Sequence, residues 1–204
     1  MNGHEESINA LHEIKDMMNR SSRFVSLSGW SGIAAGICAL AGAWMANRQI
    51  AESQNDASLH TSLWVTALVT FAAAFLFAFF FTFLRSNRSG VPVWGFTARR
   101  VMINVAIPMV VGAAMVWRMA EMDYFGLLAP ACLIFYGLAL INASKYTLSE
   151  IRYLGYLQLV LGLINLWMPD HGLYFWAAGF GVLHILYGLL VWNKYDRNDK
   201  TGAS

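Results

Sequence analysis

Six long runs of apolar residues, each bounded by clusters of charge, restrict this chain more than any motif in it. The runs are Phe24–Ala46, Ser62–Leu84, Val101–Trp117, Phe125–Ala143, Tyr153–Trp167 and Leu173–Trp192. A helix needs roughly 17–25 residues to cross about 30 Å of hydrocarbon, and most of the runs reach or approach that length. Tyr153–Trp167 is the shortest and is expected to recruit Ile151, Met168 or Pro169. Strands of a membrane barrel would alternate in polarity over about ten residues. These runs do not alternate, and Phe71–Phe83 is apolar on every side. A helix apolar all round is either buried in a large core or surrounded by lipid. The chain of 204 residues is too short for the first option. The fold class predicted is therefore all-α, a polytopic bundle of six transmembrane helices. It divides into a cytoplasmic amphipathic segment (1–23), a six-helix membrane domain (24–192) and a cytoplasmic tail (193–204).

Charge placement orients the bundle. Hydrophobic residues make up 57% of the chain and charged ones only 13%, where soluble domains carry about 25%. Lysine and arginine concentrate in cytoplasmic loops of membrane proteins, and short loops feel the bias most. Here Lys15, Arg20, Arg23, Arg85, Arg88, Arg99, Arg100, Lys145, Arg152, Lys194, Arg197 and Lys200 fall on one side. Only Arg48 and Arg118 fall on the other. Both ends of the chain are expected in the cytoplasm. Tryptophans agree: Trp44, Trp64, Trp117, Trp167 and Trp176 lie near the outer ends of the runs, and Trp94 and Trp192 near the inner ends. Indole rings favour the headgroup level because they join an apolar body to one polar handle. The first run follows a charged stretch, is long enough to span and lacks a convincing small-residue cleavage site, so it is read as a helix rather than a signal peptide. Cys38 and Cys132 both fall inside runs and are read as small buried hydrophobes.

Few residues inside the runs carry chemistry. No Asp, Glu, Lys or Arg lies within any of them. Ion-coupled carriers use buried carboxylates, and voltage sensors use arginines, so neither class is expected. His184 is the one deep ionisable side chain, with Gly181 and Gly188 on its face and Tyr187 nearby. It is expected to meet a closely packed helix, in a structural or a functional role. A bis-histidine haem would need a second membrane histidine, and no cofactor is expected. Gln158 and Asn165 share a stripe with Gly155 and Gly162 on the fifth run. In hydrocarbon these amides need partners, so the stripe should face the bundle, as glue or as the lining of a solute path. Pro108 interrupts the third run, and Asn104 is expected to help satisfy the carbonyl that proline leaves without a donor. Ser28, Gly32 and Gly36 recur at four-residue spacing, which lets backbones approach closely. They would pack within the chain or form a homo-oligomer face.

Outside the runs, Met119, Glu121, Met122, Asp123, Met168, Asp170, His171, His60 and Met45 gather near the outer face. Such side chains suit copper or zinc, but their spacing matches no tight ligand motif, and no metal is expected. On the inner side Ile8, Leu11, Ile14 and Met18 repeat at helical spacing, which suits a membrane-surface helix or a partner's groove. Arg85, Arg88, Arg99 and Arg100 flank Trp94, a combination that suits an anionic leaflet or a cytoplasmic protein partner. Nothing basic extends far enough from the membrane for nucleic acid.

The stretches SSRFVSLSGWSGIAAG (Ser21–Gly36) and YGLALINASKYTLSEIRYLGYLQLVLG (Tyr136–Gly162) resemble small six-helix inner-membrane proteins of bacteria. The last hairpin, punctuated by Gly162, Pro169, Gly172 and Gly179, is similar to six-helix acid-resistance membrane proteins. These resemblances imply a bacterial inner-membrane location and bring no catalytic residues. The functional expectation is a non-enzymatic membrane scaffold or sensor that engages a cytoplasmic partner. The alternative is a passive channel or small-solute transporter using the helix-five stripe and His184.

Overall fold

The computed structural model describes residues 28–53, 56–89 and 96–196, with side chains except at positions 56, 57, 88, 89, 96 and 196. The amphipathic segment 1–23, Trp94 and the tail beyond 196 lie outside the described residues. All the regular structure described is helical. The long helices are α1 (Gly29–Glu52), α2 (Asp56–Ser89), α3 (Phe96–Glu121), α4 (Leu128–Ala143) and α5 (Glu150–Leu166). The last crossing, Pro169–Tyr195, contains α6 (Gly172–Trp176) and α7 (His184–Val191), with π-helical turns over Ala177–Leu183 and Trp192–Asp196. Among the described residues five stretches are long and apolar enough to cross a membrane, namely those of α1, α2 and α3, Phe125–Ala143 with α4, and Pro169–Tyr195; α5, with 17 residues, is not one of them.

Helices run past the ends of the apolar runs because backbone hydrogen bonding continues through polar and charged residues as readily as through apolar ones. α2 has 34 residues, about 51 Å at 1.5 Å per residue. Ser28 starts α1 with its hydroxyl accepting from the Trp30 N–H at 3.3 Å, so one orphan donor of the first turn is satisfied.

Small residues set the packing. Gly29, Gly32 and Gly36 lie against Trp192, Gly188 and Gly181 of the last crossing, so α1 and that crossing run antiparallel in backbone contact. A Cβ on Gly188 would come within 2.6 Å of the Gly29 carbonyl and the Ile33 N–H. Without a hydrophobic drive between helices, such close van der Waals contact is what lipid leaves to hold them. The stripe Ser28, Gly32, Gly36 is thus buried inside the chain, covered by its own last helix. On the other side α4 and α5 form an antiparallel hairpin in which Gly155 meets Gly137 and Ile141, and Gly162 meets Ile134. α5 follows α4 along its length, although its 17 residues sit at the short limit for a span.

α2 and α3 stand at the periphery. α2 packs along α1, where Gly42 faces Thr70 and Gln49 bonds Thr66 at 2.8 Å. Phe71, Phe75, Phe79 and Phe83 point outward. α3 packs on α4, with Pro108 buried and Gly112 against Phe135. An exposed phenylalanine ladder is costly in water and ordinary against lipid tails.

Candidate functional site

The middle of the last crossing carries the densest polar arrangement in the described interior. α5 presents Gln158, which is fully buried, and its Nε2 donates to the Gly179 carbonyl at 2.8 Å. Gly179 has room for that amide only because it lacks a side chain: a Cβ there would lie 2.5 Å from Gln158 Oε1. The same carbonyl meets His184 Nδ1 at 3.0 Å. A carbonyl only accepts, so Nδ1 carries the proton. Neutral imidazole then leaves Nε2 as an acceptor, and the Tyr136 hydroxyl, 2.8 Å away on α4, donates to it. Three elements, α4, α5 and the last crossing, are therefore tied through one histidine and one carbonyl. The carbonyl belongs to π-helical backbone, a form that recurs where a helix serves a local purpose beyond spanning.

Aromatic rings close the space around the imidazole. Trp176, Phe180 and His184 follow one another at four-residue spacing, with centroids 5.1 Å and 6.0 Å apart. Tyr136 sits beside Phe180 at 5.1 Å. His184 is 7% exposed. Three buried polar atoms near this layer and its flanks have no partner among the described residues: Gln158 Oε1, Asn165 Oδ1 and the Tyr187 hydroxyl. In hydrocarbon each such group raises the cost of the fold unless water or another donor reaches it.

The positions singled out in the sequence do not all converge. His184 and Gln158 meet through Gly179. Asn165 is fully buried, but its Nδ2 donates to the Met168 carbonyl at 2.8 Å and so finishes the end of α5. Tyr187 lies close in sequence to His184, yet the histidine bonds Tyr136 instead. Asn104 donates to the Arg100 carbonyl at 2.8 Å, one turn back on α3, and not to the carbonyl Pro108 leaves free. An asparagine reaching back to its own preceding turn is a short, local bond that needs no second helix, and it wins here. Tyr136 and Gly179 were not among the expected site residues. The Trp176–Phe180–His184 spacing is visible in sequence; the pairing of α4 with the last crossing is not.

At the end of the bundle where α3 and α5 begin, Arg99 and Arg100 are exposed, and the Arg100 guanidinium lies 6.0 Å over the Tyr146 ring. Arg85 is half-buried near the end of α2. The side chain of Arg88 lies outside the described residues. Glu150, Lys194 and Tyr195 join α5 to the end of the last crossing: Lys194 forms a close ion pair with Glu150, and the Tyr195 hydroxyl donates to Glu150 at 3.0 Å. Partial burial pushes the Glu150 carboxyl up, but donors from Lys194, its own backbone and Tyr195 outweigh that and hold it below the usual range.

At the opposite end the His, Met and carboxylate side chains noted in the sequence do not draw together. No three His, Cys, Asp or Glu side chains among the described residues stand close enough to hold a metal. His60 packs on Phe125 at 4.4 Å and His171 on Tyr174 at 6.4 Å. Two shallow, open hollows lie on the described surface. One is at this end of the bundle, among His60, Trp64, Trp117, Glu121, Asp123 and Phe125; the other lies on the side of the last helical stretch around Leu186, Leu190 and Trp192. Neither reaches His184. Compared with protein-family models, with curated proteins and with solved structures, the chain matches none.

Proposed function

We propose that this chain is a non-enzymatic protein of six membrane spans, with both ends in the cytoplasm of a bacterial cell. In this reading the bundle is a scaffold or sensor that holds segment 1–23 and the basic loop Arg85–Arg100 for a cytoplasmic protein partner. The sixth span is α5. Its antiparallel course along α4 supports this, since a helix that follows a membrane span from end to end crosses with it. The single observation that carries the scaffold reading is the way the interior polar groups spend themselves on one another. His184 has both ring nitrogens engaged, and Gln158 reaches Gly179 across a contact too tight for a methyl group. Such an arrangement locks three elements together. The basic residues at the inner ends supply charge toward anionic headgroups and toward a partner.

A passive solute path remains the second reading, and it is favoured by one observation: Gln158 Oε1, Asn165 Oδ1 and Tyr187 OH are buried without partners. Affinity capture of the full chain separates the two, with and without residues 1–20. Loss of a soluble partner on deletion, together with unchanged permeability of proteoliposomes, supports the scaffold. Retention of the partner after deletion, or solute flux abolished by Gln158→Leu, refutes it.

A further inference from the structure

We propose that the hollow at the outer end, between α2 and α3, is a binding site for an alkylammonium group. The proposal goes beyond the scaffold reading and does not depend on it. The hollow has a volume of about 220 Å³, below the roughly 300–1,000 Å³ of sites for drug-sized ligands and suited to one small head group. Its walls are aromatic. Trp64 from α2 and Trp117 from α3 stand with ring centroids 6.2 Å apart and planes tilted at 47°, and Phe125 lies against His60 at 4.4 Å. Ring faces carry negative quadrupole density, and cages of such faces recognise quaternary and primary ammonium groups.

The site is also preorganised. Glu121 accepts from Trp117 Nε1 at 2.9 Å, which fixes the indole plane, and its other oxygen takes the Arg118 guanidinium at 3.0 Å. The arginine's charge is thereby committed to Glu121. The carboxylate of Asp123, the second on the wall, has no hydrogen bond or ion pair among the described residues, its backbone N–H being the only group of this residue that is bonded. Its place in the chain is the turn that ends α3. α3 ends with the Tyr124 N–H on the Met119 carbonyl at 2.9 Å and the Asp123 N–H on the Ala120 carbonyl at 3.2 Å. That is a Schellman ending, whose left-handed residue is normally glycine. Here it is Asp123, at φ 60°. Aspartate is one of the few residues besides glycine that adopt this conformation, and here it places a carboxylate beside the aromatic walls.

The ammonium could be a lipid ethanolammonium head group or a free quaternary amine, since both present a compact cation with an apolar shell. The test uses full-length protein in detergent, titrated with tetramethylammonium chloride against matched sodium chloride, with the indole N–H resonances of Trp64 and Trp117 as the reporters. Binding is expected with a dissociation constant on the order of 1 mM, from several aromatic faces and one carboxylate. Asp123→Gly keeps or improves the turn and is expected to weaken binding about fivefold or more, as is Asp123→Asn. Trp117→Leu is expected to abolish it, while Trp167→Leu, an exposed tryptophan at the outer end of α5, leaves it unchanged. Repeating the titration in nanodiscs distinguishes the sources. A weaker apparent affinity in phosphatidylethanolamine than in phosphatidylglycerol identifies the lipid head group as occupant; equal affinity identifies a free amine. The proposal is overturned if tetramethylammonium shifts neither indole beyond the sodium control. It is also overturned if Asp123→Gly binds as the wild type does, or if Trp167→Leu weakens binding as much as Trp117→Leu.

Discussion

Replacing His184 by phenylalanine keeps a ring of similar size in the gap between Tyr136 and Phe180 and deletes both of its hydrogen bonds. The Tyr136 hydroxyl then loses its one acceptor among the described residues, while the Gly179 carbonyl keeps Gln158. A buried group left without its partner costs about 1–3 kcal/mol in soluble proteins. Interhelical bonds in a bilayer have averaged about 0.6 kcal/mol with a maximum near 1.7, because the unfolded chain also finds partners there. His184→Phe is therefore expected to destabilise the bundle by about 1–2 kcal/mol. Tyr136→Phe, which strands Nε2, should cost about 1 kcal/mol. The double variant strands neither group and should cost less than the two singles together, with a coupling near 1 kcal/mol. Reversible unfolding in bicelles, followed for all four proteins of the cycle, measures this directly. Additivity to within about 0.3 kcal/mol would mean that the two side chains do not bond, and the description of the central network would be wrong.

Other consequences concern the edges of the bundle. Gly188→Val must push α1 away from the last crossing, because its Cβ would meet backbone at 2.6 Å; a loss of about 1–3 kcal/mol is expected, visible as a lower melting temperature in detergent. Gly172→Ala, whose Cβ would come no nearer than 3.2 Å to the Ala129 methyl, should change that temperature little. Glu150 has a depressed pKa in the folded chain, so its contribution is present at neutral pH and is lost as pH falls through that folded value, below the usual glutamate range of about 4.3. Wild type should thus melt above Glu150→Gln at pH 7, and the two should converge in acid. Gln158→Leu removes a buried donor and an unpartnered acceptor together, and should alter stability by less than about 1 kcal/mol, whereas Gln158→Ala should cost more by opening a cavity.

The parts of this fold legible in sequence are those the bilayer itself dictates. Length and apolarity must match the membrane, so the runs from Ser62–Leu84 to Leu173–Trp192 appear as helices, with ends shifted where α2 and α3 extend into the headgroup level. The inward aim of Gln158 and His184 is likewise readable, because glycines at three- and four-residue spacing mark the close-packed face. Which helix answers that face is not readable. Gly32 and Gly36 are equally good for another copy of the chain or for the last crossing, and only the packed structure shows Gly188 and Gly181 opposite them. Tyr136 is one tyrosine in an apolar run until α4 is set beside His184. Asn104 misleads for the opposite reason: its bond is so local that no long-range pattern announces it.

Six crossings with both ends inside are best tested by cysteine labelling in intact cells. Single cysteines would be placed at Ser53, Ser89, Asp123, Ser149, Asp170 and Ser204 in a background lacking Cys38 and Cys132. A membrane-impermeant maleimide applied from outside should label positions 53, 123 and 170 and leave 89, 149 and 204 unlabelled until the cells are opened. Position 170 decides the span count, since it faces outward only if α5 crosses. Protection there, or labelling at 89, 149 or 204 in sealed cells, would contradict the six-span bundle.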